Sequence, residues 1–213
     1  MKSEINLNEE FGYNIFQTII KYNLKNNIEI GSWDGEGSTR CFVEAMKLLG
    51  GDKRLLCIEI IKEKFEILKD RYKDLDFVTP LNMSSISYKS MIYKDYNDVR
   101  ISKYNKLKDM YPDYQIKSWF DRDIESLKQY KTGALDNLSK SWDSVLIDGG
   151  EFTGYSEYLI LENIVNVIFL DDVHNAFKCN QIYHELLDNK NWNLLMENES
   201  IRNGYAIFKK NIL

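Results

Sequence analysis

Four groups of residues in this chain have types and spacings suited to chemistry on a bound small molecule. The first is a glycine-rich turn, Glu29-Ile30-Gly31-Ser32-Trp33-Asp34-Gly35-Glu36-Gly37-Ser38-Thr39. Glycines there let the backbone approach a ligand, and the helix that opens after them offers free N–H groups. A plain tight turn is the competing reading, although it needs neither three glycines nor an acid. The second is Glu59, at the end of the apolar run 54–60. A carboxylate at a strand end can accept two hydrogen bonds from a ribose diol, or simply be solvated. The third and fourth, Ile147-Asp148-Gly149-Gly150-Glu151 and Leu170-Asp171-Asp172-Val173-His174-Asn175, each close another short apolar run.

Strand ends in open α/β sheets face the ligand crevice, so Asp148 should point at the reacting centre. Adjacent strands that end in acids can converge on one cation. Asp148 with Asp171 or Asp172 would supply hard oxygen ligands for Mg2+; the competing reading makes Asp172 only the cap of the next helix. His174 lies beside this group, and a histidine there suits a general base. It would equally suit a structural place in the loop. His184, inside a helix beside Tyr183, reads as a packing residue. After the third strand, Asn82-Met83-Ser84-Ser85 forms an ordinary turn or a further ligand contact.

These groups need a scaffold, and the periodicities supply one. Phe11, Ile15, Phe16, Ile19 and Ile20 predict an amphipathic opening helix. A strand over 27–30 leads into the glycine turn, then a helix over 39–49 stopped by Gly50-Gly51. A strand over 54–60, a helix over 62–73 and a strand over 77–81 follow, with Pro80 favouring a sheet edge or the strand's end. Residues 84–141 change character, rich in tyrosine and lysine, with helical pieces expected over 90–111 and 121–130. Regular order returns with strands over 143–148 and 165–170 and helices over 155–163 and 175–187. Residues 192–196 and 205–209 flank Arg202-Asn203-Gly204, a hairpin signal. The alternation implies an α/β fold, a parallel sheet with helices on both faces, closed by an antiparallel hairpin.

The acid-x-Gly opening Glu29-Ile30-Gly31, the strand-end acids and the terminal hairpin together resemble the class I S-adenosylmethionine-dependent methyltransferases. Within that family the resemblance is to small-molecule and sugar O-methyltransferases of the catechol and macrocin type. It covers 27–81 and 143 to the C-terminus, and not the insertion. It implies a single domain over 1–213 with a Rossmann-like seven-stranded sheet, helices on both faces and a helical insertion between strands 3 and 4. It implies S-adenosylmethionine held by Glu29, Gly31, Ser32, Gly35, Gly37, Ser38, Glu59, Asn82, Met83 and Asp148, with Glu29 receiving the cofactor's ammonium directly or through water. The implied reaction is methyl transfer to an oxygen of a small acceptor, a sugar or sugar conjugate, with Asp148, Glu151 and His174 as catalytic candidates. Metal-dependent members use a cation to lower the acceptor hydroxyl's pKa, and Asp148, Asp171 and Asp172 would be its ligands here. Several related enzymes read Ile-Asp-Gly-Gly-His with the histidine a candidate base; Glu151 stands in that place.

The tyrosines of 84–141 (Tyr88, Tyr93, Tyr96, Tyr104, Tyr111, Tyr114) with Trp119 and Phe120 suit an acceptor lid that stacks on sugar rings. The interleaved lysines would favour an anionic acceptor such as a nucleotide-linked or phosphorylated sugar, and a polysaccharide sugar is a further candidate partner. A solvated excursion or a homo-oligomer contact is the competing reading. Two other functions remain open: an NAD-type oxidoreductase or epimerase, disfavoured because GxGxxG is absent, and a non-catalytic methyltransferase-like scaffold subunit. A net charge of −5 over 213 residues argues against a nucleic-acid partner. No run reaches the roughly 18–20 apolar residues of a membrane span. No signal peptide is visible at the N-terminus, and Cys41, Cys57 and Cys179 form no paired motif, so a cytoplasmic location is expected.

Overall fold

Runs such as Leu55-Leu56-Cys57-Ile58 and Ile168-Phe169-Leu170 are apolar on both sides of the pleat, as strands covered on two faces must be. In the computed structural model, which describes residues 5–138 and 141–211, they form the middle of one seven-stranded sheet. The chain runs α1 (Glu10–Lys21), β1 (Asn26–Ile30), α2 (Ser38–Lys47), β2 (Arg54–Glu59), α3 (Lys62–Arg71) and β3 (Val78–Asn82). The insertion carries α4 (Val99–Tyr104) and α5 (Asp113–Lys128), and then come β4 (Ser144–Ile147), α6 (Gly154–Leu161), β5 (Val167–Asp171), α7 (Asn180–Asp188), β6 (Trp192–Asn198) and β7 (Tyr205–Lys210).

The sheet order is β3-β2-β1-β4-β5-β7-β6. The first five strands are mutually parallel, and β7 lies antiparallel between β5 and β6. The Rossmann-like α/β sheet with its antiparallel terminal hairpin is therefore as the sequence predicts. Pro80, which cannot donate to a ladder, sits in β3 at the sheet edge, paired only on the side of Cys57. The order reverses between β2-β1 and β4-β5, so connections leave those neighbours toward opposite faces and open a crevice at their C-terminal ends.

Two apolar layers cover the sheet. On one face Phe42 of α2 meets Phe169 of β5 edge-on at 5.7 Å, and Phe11 of α1 stacks on Tyr205 of β7 at 4.4 Å. The other face takes α5, α6 and α7, joined by the ring contacts Phe120–Phe152 and Phe152–Phe177. Ile101, Leu107, Ile116, Phe120, Ile124 and Leu127 of the insertion share that core with Ile168 and Phe208. The insertion is thus part of the packed body.

Three expected helices are corrected. The helix over 90–111 is broken: α4 covers six residues and a 3-10 turn follows at Lys106–Asp109, where Asn105 bonds the Leu107 N–H instead of continuing the helix. The helix over 121–130 starts earlier, at Asp113 behind Pro112. Helix α7 begins at Asn180 and not at 175, because the preceding loop is held elsewhere. Residues 139 and 140, at the end of the expected insertion, lie outside the described residues. No helix among the described residues is long and apolar enough to cross a membrane.

Phe169 of β5 is fully buried, with Phe42 of α2 edge-on against its ring. Phe169→Ala is expected to cost about 3–5 kcal/mol. Denaturant unfolding should show a lower midpoint with an unchanged slope, and a midpoint within error of wild type would refute the placement.

Candidate active site

A cavity of about 700 Å³ opens at the C-terminal ends of β1, β2 and β4. Its floor is the glycine turn, with Gly31, Ser32, Trp33, Gly37 and Ser38 on the wall. Gly31 has φ +86°, and a Cβ on it would lie 2.1 Å from the Asp148 carbonyl oxygen, so only glycine fits there. Its N–H donates to the Ile58 carbonyl at 3.0 Å, which fastens the turn to β2.

Two residues of the turn are placed otherwise than the resemblance implies. Gly35 is not on the wall: it faces α3, where a Cβ would strike Leu68 and Tyr72, and Tyr72 donates its hydroxyl to the Gly35 carbonyl at 2.6 Å. Glu29 is fully buried behind the turn and does not reach the cavity. Its two oxygens accept from Ser38 Oγ and Thr39 Oγ1, both at 2.6 Å. Burial raises its pKa while those hydroxyls oppose the rise. Glu29 ties the end of β1 to the start of α2 and so sets the shape of the turn.

Glu59 does face the cavity. Its carboxylate accepts from the Trp33 and Ile61 N–H groups, each at 2.7 Å. Each oxygen keeps a lone pair for a further donor, as a ribose diol requires. Burial raises its pKa, and the backbone bonds and Lys64 oppose that. Trp33, at φ +49°, stands half exposed at the rim with Lys64 Nζ 4.1 Å from its ring centre. Met83 lines the cavity; Asn82 does not, because its amide donates to the carbonyls of Glu59 and Ile60 and braces the strand end.

Asp148 lines the cavity from β4. It, Asp171 and Asp172 bring carboxylate oxygens within 4.8 Å of one another, so the expected convergence of strand-end acids is real. Cations of the chain already stand among them. Lys178 Nζ lies 2.8 Å from Asp148 Oδ1 and 2.6 Å from Asp172 Oδ2, and Arg202 pairs with Asp171. Asp172 also accepts from Asn203 at 3.0 Å and has φ +55°, a left-handed residue outside any helix cap. Burial pushes Asp171 well above the usual carboxylate range and raises Asp148; Asp172, against the same burial, is held low by Lys178 and Asn203. Such a group, compensated from within by an ammonium on two of its three members, does not fit a Mg2+ ion as it stands.

The other two catalytic candidates lie off the cavity wall. Glu151 Oε1 accepts from the backbone N–H groups of Phe177 and Lys178, at 2.7 and 3.2 Å, so it is a clamp on the loop before α7. His174 packs under the hairpin turn, its ring 5.0 Å from that of Tyr183 and its backbone N–H donating to the Asn203 carbonyl at 2.8 Å. Gly204 makes room for it: a Cβ there would be 2.3 Å from His174 Cδ2. His184 lies between Tyr104 and Tyr183, a packing residue.

No family model matches the sequence, and no curated protein matches it either. Shape is more informative. An O-methyltransferase from Bacillus cereus in complex with SAH superposes with TM-score 0.59 at 12% identity, over 94% of this chain and 80% of that one. An O-methyltransferase of tomaymycin synthesis from Streptomyces achromogenes, in complex with SAM, gives 0.58 at 12% identity over 93% and 78%. The SAH-bound methyltransferase PaMTH1 of Podospora anserina gives 0.58 at 10% identity over 94% and 78%. The fold is that of the class I methyltransferases.

On this methyltransferase fold the far wall of the cavity comes from α5, through Arg122, Asp123, Ser126 and Leu127, which the sequence reading missed. None of the expected lid tyrosines lines the cavity. Tyr93 is buried against Tyr155 and Phe177, Tyr96 bonds Asp113, Tyr104 covers His184 and Tyr111 meets Trp119. A signal was present: Ile116, Phe120, Ile124 and Leu127 recur at helical spacing and turn Asp123 and Ser126 to a neighbouring face. Asp123 Oδ2 accepts the Phe152 N–H at 3.1 Å, and burial raises its pKa. Below it Glu157 is fully buried, accepts from Ser85 Oγ and leaves Oε2 without a hydrogen-bond partner.

Burial pushes Glu157 up to about 7 from the ordinary 4.5, with the Ser85 bond opposing. Below pH 4.5 both folded and unfolded chains keep the proton, and the group costs nothing. Between 4.5 and about 7 the unfolded chain loses it first, so stability falls as pH rises. Above that window the loss is complete, about 3 kcal/mol at 1.36 kcal/mol per unit. Glu157→Gln should therefore melt higher than wild type at pH 8 and about level with it at pH 4. A difference that does not change with pH would disprove the assignment.

Proposed function

We propose that the protein transfers a methyl group from S-adenosylmethionine to an oxygen of a small acceptor, a sugar or sugar conjugate. The observation that carries this reading is the cavity itself, bounded by the Gly31–Ser32 backbone, the Glu59 carboxylate and Asp148 at three neighbouring strand ends of a methyltransferase fold. Solved proteins of the same fold hold SAM or SAH. The donor supplies an electrophilic methyl on a sulfonium, so the chain need not form a covalent intermediate.

The residues divide the work by position. Gly31, Ser32, Gly37 and Ser38 offer backbone and hydroxyl groups at the turn, and Glu59 has free lone pairs for two vicinal hydroxyls. Met83 gives an apolar contact for a flat base. Asp148 stands between this half and the α5 wall, where Arg122, Asp123, Ser126 and Thr153 form a polar lining suited to a hydroxylated acceptor. In-line placement of acceptor and donor is where the rate enhancement would arise. Cytoplasmic location belongs to this reading and is supported by three free, buried thiols, Cys41, Cys57 and Cys179.

Calorimetry with S-adenosylhomocysteine tests it. One molecule should bind per chain, and Glu59→Ala should weaken binding by about 10- to 100-fold, the worth of hydrogen bonds to a charged group. Binding of NAD in place of S-adenosylhomocysteine would overturn the reading.

A further inference from the structure

The loop between β5 and α7 carries Lys178 into the acidic group by an arrangement built for that purpose. Glu151 holds the Phe177 and Lys178 N–H groups from the β4 side. Gly154 at the start of α6 leaves space for the Lys178 carbonyl, which a Cβ would meet at 2.4 Å. Cys179 Sγ reaches the Ile147 carbonyl at 3.5 Å, and Asn180 Nδ2 donates to the Val173 carbonyl at 2.7 Å. With the backbone pinned on both sides, the side chain turns inward until it is 11% exposed, and its ammonium lies within 2.8 Å of Asp148 and 2.6 Å of Asp172.

Burying an ammonium is costly unless carboxylates meet it, and three carboxylates in one place are costly without a cation. Each cost is the answer to the other. With Arg202 on Asp171, two cations face the three carboxyl groups. A divalent ion bound at about 2.1 Å to the same Asp148 and Asp172 oxygens would have to expel the ammonium or stand beside it, cation against cation.

We propose that Lys178 is the resident cation of this acidic group, filling the place of a divalent metal and holding Asp148 at the cavity wall without one. Lys178 is a positioning residue: it acts on the cavity through Asp148. The consequence is a site whose ligand binding is indifferent to chelators.

Titration of the wild-type protein with Mn2+, followed by electron paramagnetic resonance, is the test. Wild type should bind no Mn2+ up to about 1 mM, and Lys178→Met, which removes the charge and keeps the length, should bind one ion at least about tenfold more tightly. Mn2+ bound to wild type at submillimolar concentration overturns the proposal. So does a folded Lys178→Met that gains no binding, because the carboxylates would then not be a cation site that the ammonium fills. Should that variant not fold, the wild-type titration decides, together with S-adenosylhomocysteine affinity that EDTA leaves unchanged. Failure of S-adenosylhomocysteine to bind at all would count against the methyl-donor reading only, since the Mn2+ result does not depend on it.

Discussion

The contact between the end of β1 and the end of β4 governs the rest of this molecule. Gly31 and the Asp148 carbonyl approach so closely that no side chain fits between them, and the Asp148 N–H returns a bond to the Ile30 carbonyl at 3.1 Å. Because β1 also pairs with β2, the same point carries the Gly31 bond to Ile58. The glycine turn, Glu59 and Asp148 are consequently delivered to one crevice by backbone geometry alone. Side chains then refine a place that the sheet has already chosen.

Acids at this end of the sheet show how burial decides a residue's use. Glu29, Glu59 and Glu151 each accept two hydrogen bonds from the chain, from hydroxyls at α2, from the Trp33 and Ile61 amides and from the Phe177 and Lys178 amides. A buried carboxylate without such donors would be expensive. Of these three, Glu59 is the one that lines the cavity and so combines a structural with a cavity-facing position. Asp148 differs, since its partner is a side-chain cation and not backbone.

The alternation of strands and helices, both covered sheet faces and the antiparallel ending were legible because apolar runs, glycine turns and strand-end acids are local patterns with local causes. The cavity's near half was legible for the same reason: Gly31, Ser32, Gly37, Ser38, Glu59, Met83 and Asp148 sit at ends of elements that periodicity identifies. What escaped depends on distance. Lys178 carries no local mark of its partners, which lie on two different strand ends. Tyrosines in 84–141 suggested a lid because composition says nothing about which face of a segment is packed, and most of them pack on the core or on a neighbouring ring. His174 looked catalytic from its neighbours in sequence, yet the hairpin turn claims it.

The α5 side of the cavity is a packed wall. Helix α5 is anchored by Ile116, Phe120, Ile124 and Leu127, and by Asp123 taking the Phe152 N–H at the loop that follows Asp148. Asp123, on the α5 wall of the cavity, is therefore bonded to the segment that carries Asp148. Arg122 and Ser126 inherit their positions from the same packed face. A close-packed helix transmits small displacements without absorbing them, so a volume change at Phe120 or Ile124 would shift Asp123 and the Gly149–Gly150 backbone together. Shape on the α5 side of the cavity is thus coupled to the geometry at Asp148, and the insertion and the sheet line one cavity.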